Sequence, residues 1–340
     1  MKKMTLVFWL LVSAGSIHSC KKIPLEDITQ EPSVFHSAET NEDNEDYLRF
    51  EEKRKQAKYD ALKTELSQIQ DWNRLIFATS STANIFHQLK IRPLGVIQSK
   101  NLIPDLQALQ DEGSVGNIGS ALSPNAEVIV ALKPSAVLLS NAMPHVPGSL
   151  KKLADEGLFD LILLPQRRLE DIFLLLQVLK ENGVSDQAVV FAAQMAQDIK
   201  EAKDLAENSK IQNATAAIIQ VSPGNNSVQG SKSLIGTLVQ KIGITNIFPE
   251  APGSSEPDME TLLLRDPKFL ILYGHGNNGA TIARDFAVGL GNEDSVYRGM
   301  QAIKNQSYIV IPDPGSANLE TSGLLLELAR KMYGDSHAHS

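Results

Sequence analysis

The side chain best suited to binding chemistry follows an apolar run of the sequence. His275 stands between Gly274 and Gly276, directly after the run 269–273. Neutral imidazole is the commonest metal ligand among side chains, and flanking glycines would let a flat ligand approach the backbone closely. A histidine in an ordinary turn, with no ligand, is the alternative that these residues alone leave open.

The rest of the sequence offers no catalytic set of residues. It has no HExxH, GxSxG or CxxC motif, and Gly230-Ser-Lys-Ser lacks the earlier glycine of a GxxxxGK[ST] phosphate loop. Its 32 basic and 40 acidic residues give a net charge of −8, which argues against nucleic-acid binding. Its single cysteine cannot close an internal disulfide. We therefore expect a binding protein and not an enzyme.

A repeated unit of the chain positions the candidate residues. Three residues recur 133 positions later (257 − 124, 260 − 127 and 267 − 134): Pro124, Glu127 and Pro134, then Pro257, Glu260 and Pro267. Proline suits the first helical position, the helix dipole favours a glutamate in the first turn, and a second proline ends the helix. Apolar runs follow at 136–139 and 269–272. The pattern predicts two copies of a helix, a turn and a buried strand.

The two copies place their loops at one cleft. Strands that alternate with helices predict parallel sheets, whose ligands lie beyond the carboxyl ends of the strands. The residues past the repeated strands are 140–145, which include Met143 and His145, and 273–276, which include His275. We expect both loops to face a cleft between two halves of the molecule.

The segment between the copies predicts how the halves are joined. Residues 169–179 are apolar around much of a helical circumference and have no flexible composition. We therefore expect a rigid interlobe helix at 169–183, an amino-terminal α/β lobe at 73–168 and a carboxyl-terminal α/β lobe at 184–334. Residues 335–340 are expected to form a tail.

The amino terminus has the features of a lipoprotein signal. Lys2 and Lys3 precede the apolar run 6–12, and Cys20 follows soon after. The run is too short to span a bilayer but suits a signal peptide at 1–19 with lipidation of Cys20. We expect an acidic tether at 20–46 and a helical extension at 47–72. An ordinary secreted protein is the alternative.

The sequence also resembles a known family. Val115-Gly-Asn and the run 124–139 resemble substrate-binding lipoproteins of iron-complex and cobalamin importers, over about residues 73–334. Within that family, the segments 231–239, 272–276 and 317–319 are most similar to the haem-binding lipoproteins of iron-regulated surface haem uptake. The resemblance implies a clamp-type fold of two Rossmann-like α/β lobes joined by one rigid helix. It also implies a monomer that works with an ABC permease and its ATPase.

The resemblance assigns roles to several residues. It makes His275 a haem-iron ligand, and it makes Glu127 and Glu260 carboxylates that dock to arginines of the permease. The related haem proteins carry a methionine where this chain has Leu122, which cannot ligate iron. Either the iron is five-coordinate, or another group of the first lobe is the second axial ligand. By the repeat, Met143 and His145 are the candidates for that second ligand.

Further residues of the cleft are expected to contact the ligand. Ser80, Ser81 and Thr82 open a helix directly after a strand and could bind haem propionates, since a helix start attracts anions. Lys100, in the next loop, roughly matches a basic position of the haem relatives, and Tyr273 is the first residue past the second repeated strand.

These inferences give one expected function. The chain is expected to be anchored by lipid in a bacterial cell envelope, outside the cytoplasm, and to carry haem as a transported iron complex, not as a catalytic cofactor. A ferric siderophore and cobalamin are the alternative ligands, and a structural surface lipoprotein or an enzyme on this scaffold are distant alternatives. A stiff linking helix predicts only small lobe closure.

Overall fold

A computed structural model describes residues 41–143, 145–255, 259–274 and 278–334 of the chain. The proposed lipidation site Cys20, the histidine at 275 and the tail 335–340 lie outside the described residues. The first element is helix α1 (Asn41–Ser67), which begins six residues (47 − 41) before the helical start expected at Tyr47. Within the described residues, no helix combines the length and the apolar composition needed to cross a membrane.

The first lobe is a five-stranded sheet with helices between its strands. Its elements are β1 (Leu75–Phe77), α2 (Ser80–Gln88), β2 (Gly95–Val96), α3 (Pro104–Asp111), β3 (Gly116–Asn117), α4 (Ala126–Leu132), β4 (Ala136–Ser140), α5 (Gly148–Asp155) and β5 (Asp160–Leu164). The strands lie in the order β3-β2-β1-β4-β5, and every neighbouring pair is parallel. All their carboxyl ends therefore meet at one edge of the sheet.

Two helices carry the chain from the first sheet to the second. They are α6 (Leu169–Glu181) and α7 (Gln187–Glu207). Helix α6 packs against both α1 and α7, which explains why its sequence is apolar around so much of its circumference. The helix predicted at 169–179 is confirmed and extends to Glu181.

Helix α1 is fixed to α6 by apolar and charged contacts. Leu62 and Leu66 of α1 are buried. Lys63 forms an ion pair with Glu181 over 3.1 Å. Hydrogen bonds from Tyr59, Gln177 and Lys63 lower the pKa of Glu181 to about 2. Helix α1 is thus part of the folded body at the helix that joins the lobes.

The second lobe contains a mixed sheet. Its elements are β6 (Thr215–Val221), β7 (Ser227–Gln229), α8 (Leu234–Lys241), β8 (Thr245–Asn246), β9 (Pro252–Ser255), α9 (Met259–Arg265), β10 (Phe269–Gly274), α10 (Gly279–Leu290), a 3₁₀ helix (Val296–Gly299), α11 (Gln301–Lys304), β11 (Tyr308–Val310) and α12 (Thr321–Tyr333). The strand order is β11-β10-β6-β7-β9, with β8 also paired to β6. Strands β6, β10 and β11 are parallel.

Strand β7 departs from the parallel sheet that the sequence predicts. It pairs antiparallel with β6 and with β9. The connection 222–226 is too short for a crossover, which a parallel pair would need. In that connection the Asn226 side-chain oxygen accepts a hydrogen bond from the Ser222 backbone N–H at 3.2 Å. Because β9 is antiparallel to β7, it points the same way as β6.

The predicted repeat is confirmed in the backbone. Helices α4 and α9 begin at residues 126 and 259 and end at 132 and 265, so both bounds differ by 133. Strands β4 and β10 begin at 136 and 269, again 133 apart. The residues after the helices, Lys133 (φ 48°) and Asp266 (φ 38°), both lie in the left-handed region. Such a residue ends a helix sharply, which suits a proline as the next residue.

Each lobe has its own apolar core. The first is built around the buried Ile76, Val137 and Leu139, and the second around Leu270, Leu272 and Ile219. Helices cover both faces of the central strands, so these read as continuous apolar runs and not as alternating ones. Two α/β lobes with separate cores confirm the predicted fold class.

Candidate functional site

Two segments that follow the carboxyl ends of the two sheets are in contact. Gln166 follows β5 of the first sheet, and Ala317 follows β11 of the second. The Ala317 backbone N–H donates a hydrogen bond of 3.0 Å to the Gln166 carbonyl oxygen. Since ligands of open α/β sheets bind beyond these strand ends, the junction between the lobes is the place to look for a site.

A crevice of about 260 Å³ lies at this junction. It is lined by Ser81, Asn84, Ile85 and Gln88 of α2, by the loop 100–103, and by the segment 318–320 before α12. The first lobe supplies the polar Ser81 and Lys100, both of which the sequence singled out. The crevice therefore draws on loops from both lobes.

The start of α2 is held in place by a buried glutamine. Ser81 and Thr82 donate hydroxyl hydrogen bonds to the Gln166 side-chain oxygen at 3.1 and 3.2 Å. Thr82 is fully buried, so it supports the helix start and does not line the crevice, whereas Ser80 and Ser81 are half-buried. Sequence analysis missed Gln166, because a lone glutamine after a strand forms no motif.

Gln166 is an unusual group in its own right. It is fully buried, and its side-chain nitrogen has no hydrogen-bond partner in the part of the chain that the structure describes. An unsatisfied buried donor costs about 1–3 kcal/mol. Asn141, past β4, supports the same residue by accepting a hydrogen bond from the Gln166 backbone N–H at 3.1 Å.

The loop after β4 carries two further candidates in different settings. Met143 is partly buried and packs against the core of the first lobe. His145 is exposed. Of the two, only His145 has a side chain that is not already packed within its own lobe.

On the second lobe, Tyr273 is the residue before the last of strand β10 and lies in a buried polar cluster. Its hydroxyl lies 3.5 Å from the Gln220 side-chain oxygen. Burial, together with the nearby Asp313 carboxylate, raises the pKa of Tyr273. Without a ligand, the phenol therefore stays protonated at neutral pH and can donate a hydrogen bond.

The loop that carries His275 is pinned at both of its ends. A Cβ added at Gly274 would lie 2.6 Å from the Gly279 carbonyl oxygen and 3.0 Å from that of Val221. Gly274 and Gly279 thus pack backbone against backbone across the loop. The missing side chain of Gly274 therefore serves the packing of the loop ends. That it also lets a flat ligand approach stays a prediction.

The two repeated glutamates occupy matching positions. Glu127 and Glu260 each stand in the first turn of their helix, α4 and α9, and both are exposed. Asn125 caps the start of α4, and its side-chain oxygen accepts a hydrogen bond from the Val128 N–H at 3.2 Å. The two carboxylates are therefore presented at equivalent places on the two lobes.

A second, smaller cavity of about 160 Å³ lies between α6 and α8. Its wall includes an ion pair between Glu170 and the nearly buried Lys241. Burial alone would raise the pKa of Glu170, but the charge and hydrogen bond of Lys241 outweigh it and lower that pKa. The pair joins the linking helix to the second lobe. Among the described residues, no group of three or more histidine, aspartate or glutamate side chains could hold a bare metal ion.

Comparison with known proteins agrees with this two-lobe arrangement. A family model described as periplasmic binding protein matches residues 75–314, and the chain belongs to that family. No curated protein sequence matches the chain.

Solved structures show the same fold. An ABC transporter substrate-binding protein from Listeria monocytogenes EGD-e is 20% identical over 78% of this chain and 100% of its own, with a TM-score of 0.61. IsdE of S. aureus, complexed with heme, is 19% identical over 76% of this chain and 98% of its own, with a TM-score of 0.61. The iron-uptake system-binding protein FeuA from Bacillus subtilis is 19% identical over 77% of this chain and 94% of its own, with a TM-score of 0.59.

Proposed function

We propose that this chain is the substrate-binding component of an ABC importer that captures an iron complex, haem, between its two lobes. The observation that carries the proposal is the crevice lined by α2 and the loop 100–103 of the first lobe and by the segment 318–320 before α12. Membership of the periplasmic binding protein family supports a transport role. A binding role requires no chemical step, only a ligand held and released.

Haem is the ligand we favour because its iron and its propionates suit the groups that follow the strands of the two lobes. His275 follows Gly274 directly and would ligate the iron through a neutral imidazole nitrogen. Ser81 and Lys100 line the crevice and would bind the propionates, with Ser80 and Thr82 at the same helix start. Tyr273 would donate a hydrogen bond from the second lobe.

The haem proposal has two candidates for the second axial ligand of the iron, His145 and Met143. His145 is exposed, whereas Met143 packs against the core of its lobe. We therefore propose His145 ahead of Met143. If neither side chain reaches the iron, the haem would be five-coordinate.

The partners follow from the same proposal. Glu127 and Glu260 would dock to basic residues of the permease, which works with its ATPase, and such charge pairs set orientation and association rate more than affinity. Cys20 would carry a lipid anchor that holds the chain, as a monomer, at the outer face of a membrane in the cell envelope. A ferric siderophore or cobalamin remains the alternative cargo.

An absorption titration with hemin tests the haem proposal. The wild-type protein should give a saturable Soret shift, and His275→Ala should weaken binding by at least about tenfold, equal to about 1.4 kcal/mol. His87→Ala is the matched control, since His87 lies on α2 but does not line the crevice. His145→Ala should change the spectrum if that residue is the second ligand.

Other results of this titration would contradict haem as the cargo or His275 as its ligand. No Soret shift of the wild-type protein at micromolar hemin would exclude haem as the cargo. Quenching of tryptophan fluorescence by a ferric siderophore would then support the alternative cargo within the same function. Binding of hemin that His275→Ala leaves intact would overturn the role of His275.

A further inference from the structure

The cavity of about 160 Å³ between α6 and α8 has a basic wall. Among the described residues that line it, three are basic and one is acidic: Arg168, Lys232, Lys241 and Glu170. A concave wall with an excess of positive charge concentrates the electric field and attracts anions. Within the described part of the chain, this cavity shares no lining residue with the crevice between the lobes.

Lys241 brings a buried charge to this wall. Its side chain is 8% exposed and forms an ion pair with Glu170, whose side chain is 18% exposed. A buried charge is stable only where opposite charge and hydrogen bonds compensate for its lost hydration. The ammonium group has three hydrogen-bond donors, and the ion pair uses only part of that capacity. An anion in the cavity could therefore accept a further hydrogen bond from Lys241.

The segment before α8 forms a fixed part of the wall. A Cβ added at Gly236 would collide with the Gly230 carbonyl oxygen, so the chain is closely packed there. The Gly236 N–H donates a hydrogen bond of 3.0 Å to the Ser233 hydroxyl oxygen, which caps α8 from within. The segment is thus no phosphate loop, and it would bind an anion through the side chains of Ser231 and Lys232, which line the cavity.

The wall also holds hydrogen-bond acceptors. Thr237 lines the cavity, and its hydroxyl donates a hydrogen bond of 2.7 Å to the Leu234 carbonyl oxygen. Its proton is therefore used, and its oxygen is left to accept. The ionised carboxylate of Glu170 is an acceptor only, with more than one position to offer. A ligand that satisfies both kinds of group is an anion that carries a proton of its own.

We propose that the cavity between α6 and α8 binds inorganic phosphate. At neutral pH phosphate is an anion that keeps at least one proton, so its P–OH group can donate to Glu170 or Thr237. Its other oxygens accept charge-assisted hydrogen bonds from the three basic side chains. Sulfate has the same shape but no proton, so it would leave the carboxylate facing an unprotonated oxygen. Bound phosphate joins the linking helix to the second lobe, whatever cargo the crevice holds.

Isothermal titration calorimetry with phosphate at neutral pH, in a buffer free of other oxyanions, tests this proposal. The wild-type protein should bind phosphate saturably and at least about tenfold more tightly than sulfate. Lys232→Ala should weaken phosphate binding by about tenfold or more. Lys304→Ala is the matched control, since Lys304 is an exposed lysine of α11 that does not line the cavity, and it should leave binding unchanged. Both variants should unfold in urea as the phosphate-free wild type does.

Glu170→Gln tests whether the proton of the ligand is recognised. A glutamine side chain can donate as well as accept, so phosphate and sulfate should bind this variant with similar affinity. If the wild-type protein already binds the two anions equally, charge alone attracts them and the phosphate site is refuted. Absence of binding at millimolar phosphate, or binding that Lys232→Ala leaves intact, would also overturn it. Hemin titration examines the crevice, which has its own lining, so either result leaves the proposed function standing.

Discussion

Substitution of Gly274 by alanine tests how the loop bearing His275 is positioned. The new Cβ would lie 2.6 Å from the Gly279 carbonyl oxygen, 2.9 Å from the Gly279 Cα and 3.0 Å from the Val221 carbonyl oxygen. All three neighbours are backbone atoms, so no side chain can rotate away. Overpacking of this kind costs about 1–3 kcal/mol, and we expect the upper part of that range.

The strain should be relieved by movement of the loop, because its two ends are what the new methyl group pushes apart. We therefore expect Gly274→Ala to lower the free energy of unfolding and to weaken hemin binding by about tenfold, or about 1.4 kcal/mol. Urea unfolding and the absorption titration measure the two effects on the same sample.

Gly289 provides the control for this substitution. It lies near the end of α10, and a Cβ added there would meet nothing within 4 Å. Gly289→Ala should raise stability by about 0.5–1 kcal/mol, since alanine has less freedom to lose in a helix. If Gly274→Ala matches Gly289→Ala in both stability and hemin affinity, close packing does not hold the loop.

Three further substitutions test the packing and charges of the fold by urea unfolding. Leu66→Ala, at a fully buried position of α1, should destabilise the protein by about 2–5 kcal/mol; no loss would mean that α1 is not docked. Lys241→Met should cost about 3–5 kcal/mol at neutral pH by stranding the Glu170 carboxylate. The folded-state pKa of Glu170 is lowered, so the pair's contribution is present above the unfolded pKa and lost as pH falls through the folded one. The difference from wild type should therefore shrink on acidification, and a pH-independent difference would contradict the pairing. Lys133→Gly should stabilise by up to about 1 kcal/mol by relieving a positive φ, and a net loss would refute that strain.

The elements that could be predicted from the sequence are those with a local physical signature. The prolines at 124 and 257 stand two residues before the repeated helices, not at the expected first helical position. Those at 134 and 267 follow the helices by two residues, and the structure keeps the offset of 133 residues. The apolar circumference of α6 is also local information, and its cause is the packing of α1 and α7 around it.

Other features depend on contacts that no local pattern encodes. Strand β7 is short and polar at both ends, so its antiparallel pairing with β6 has no periodic signal. The acidic residues from 42 to 46 indicated an unstructured tether, yet they lie in the first turns of α1. Acidic side chains are favourable at a helix start because of the helix dipole, so composition alone misleads there.

Some residues of the candidate site could also be predicted from the sequence, whereas others could not. Ser81 and Lys100 could be singled out by their place after strands, and both line the crevice. Gln166 could not, because its importance comes from three segments that meet in space: α2, the loop after β4 and the segment before α12. The roles of His275, Glu127 and Glu260 remain proposals.

Hydrogen–deuterium exchange with and without hemin tests most directly whether the cargo is held between the lobes. We expect hemin to protect backbone amides on both sides of the crevice, in segments 79–82 and 98–103 of the first lobe and in 317–320 of the second. Protection confined to one lobe, or none despite binding, would contradict capture between the lobes.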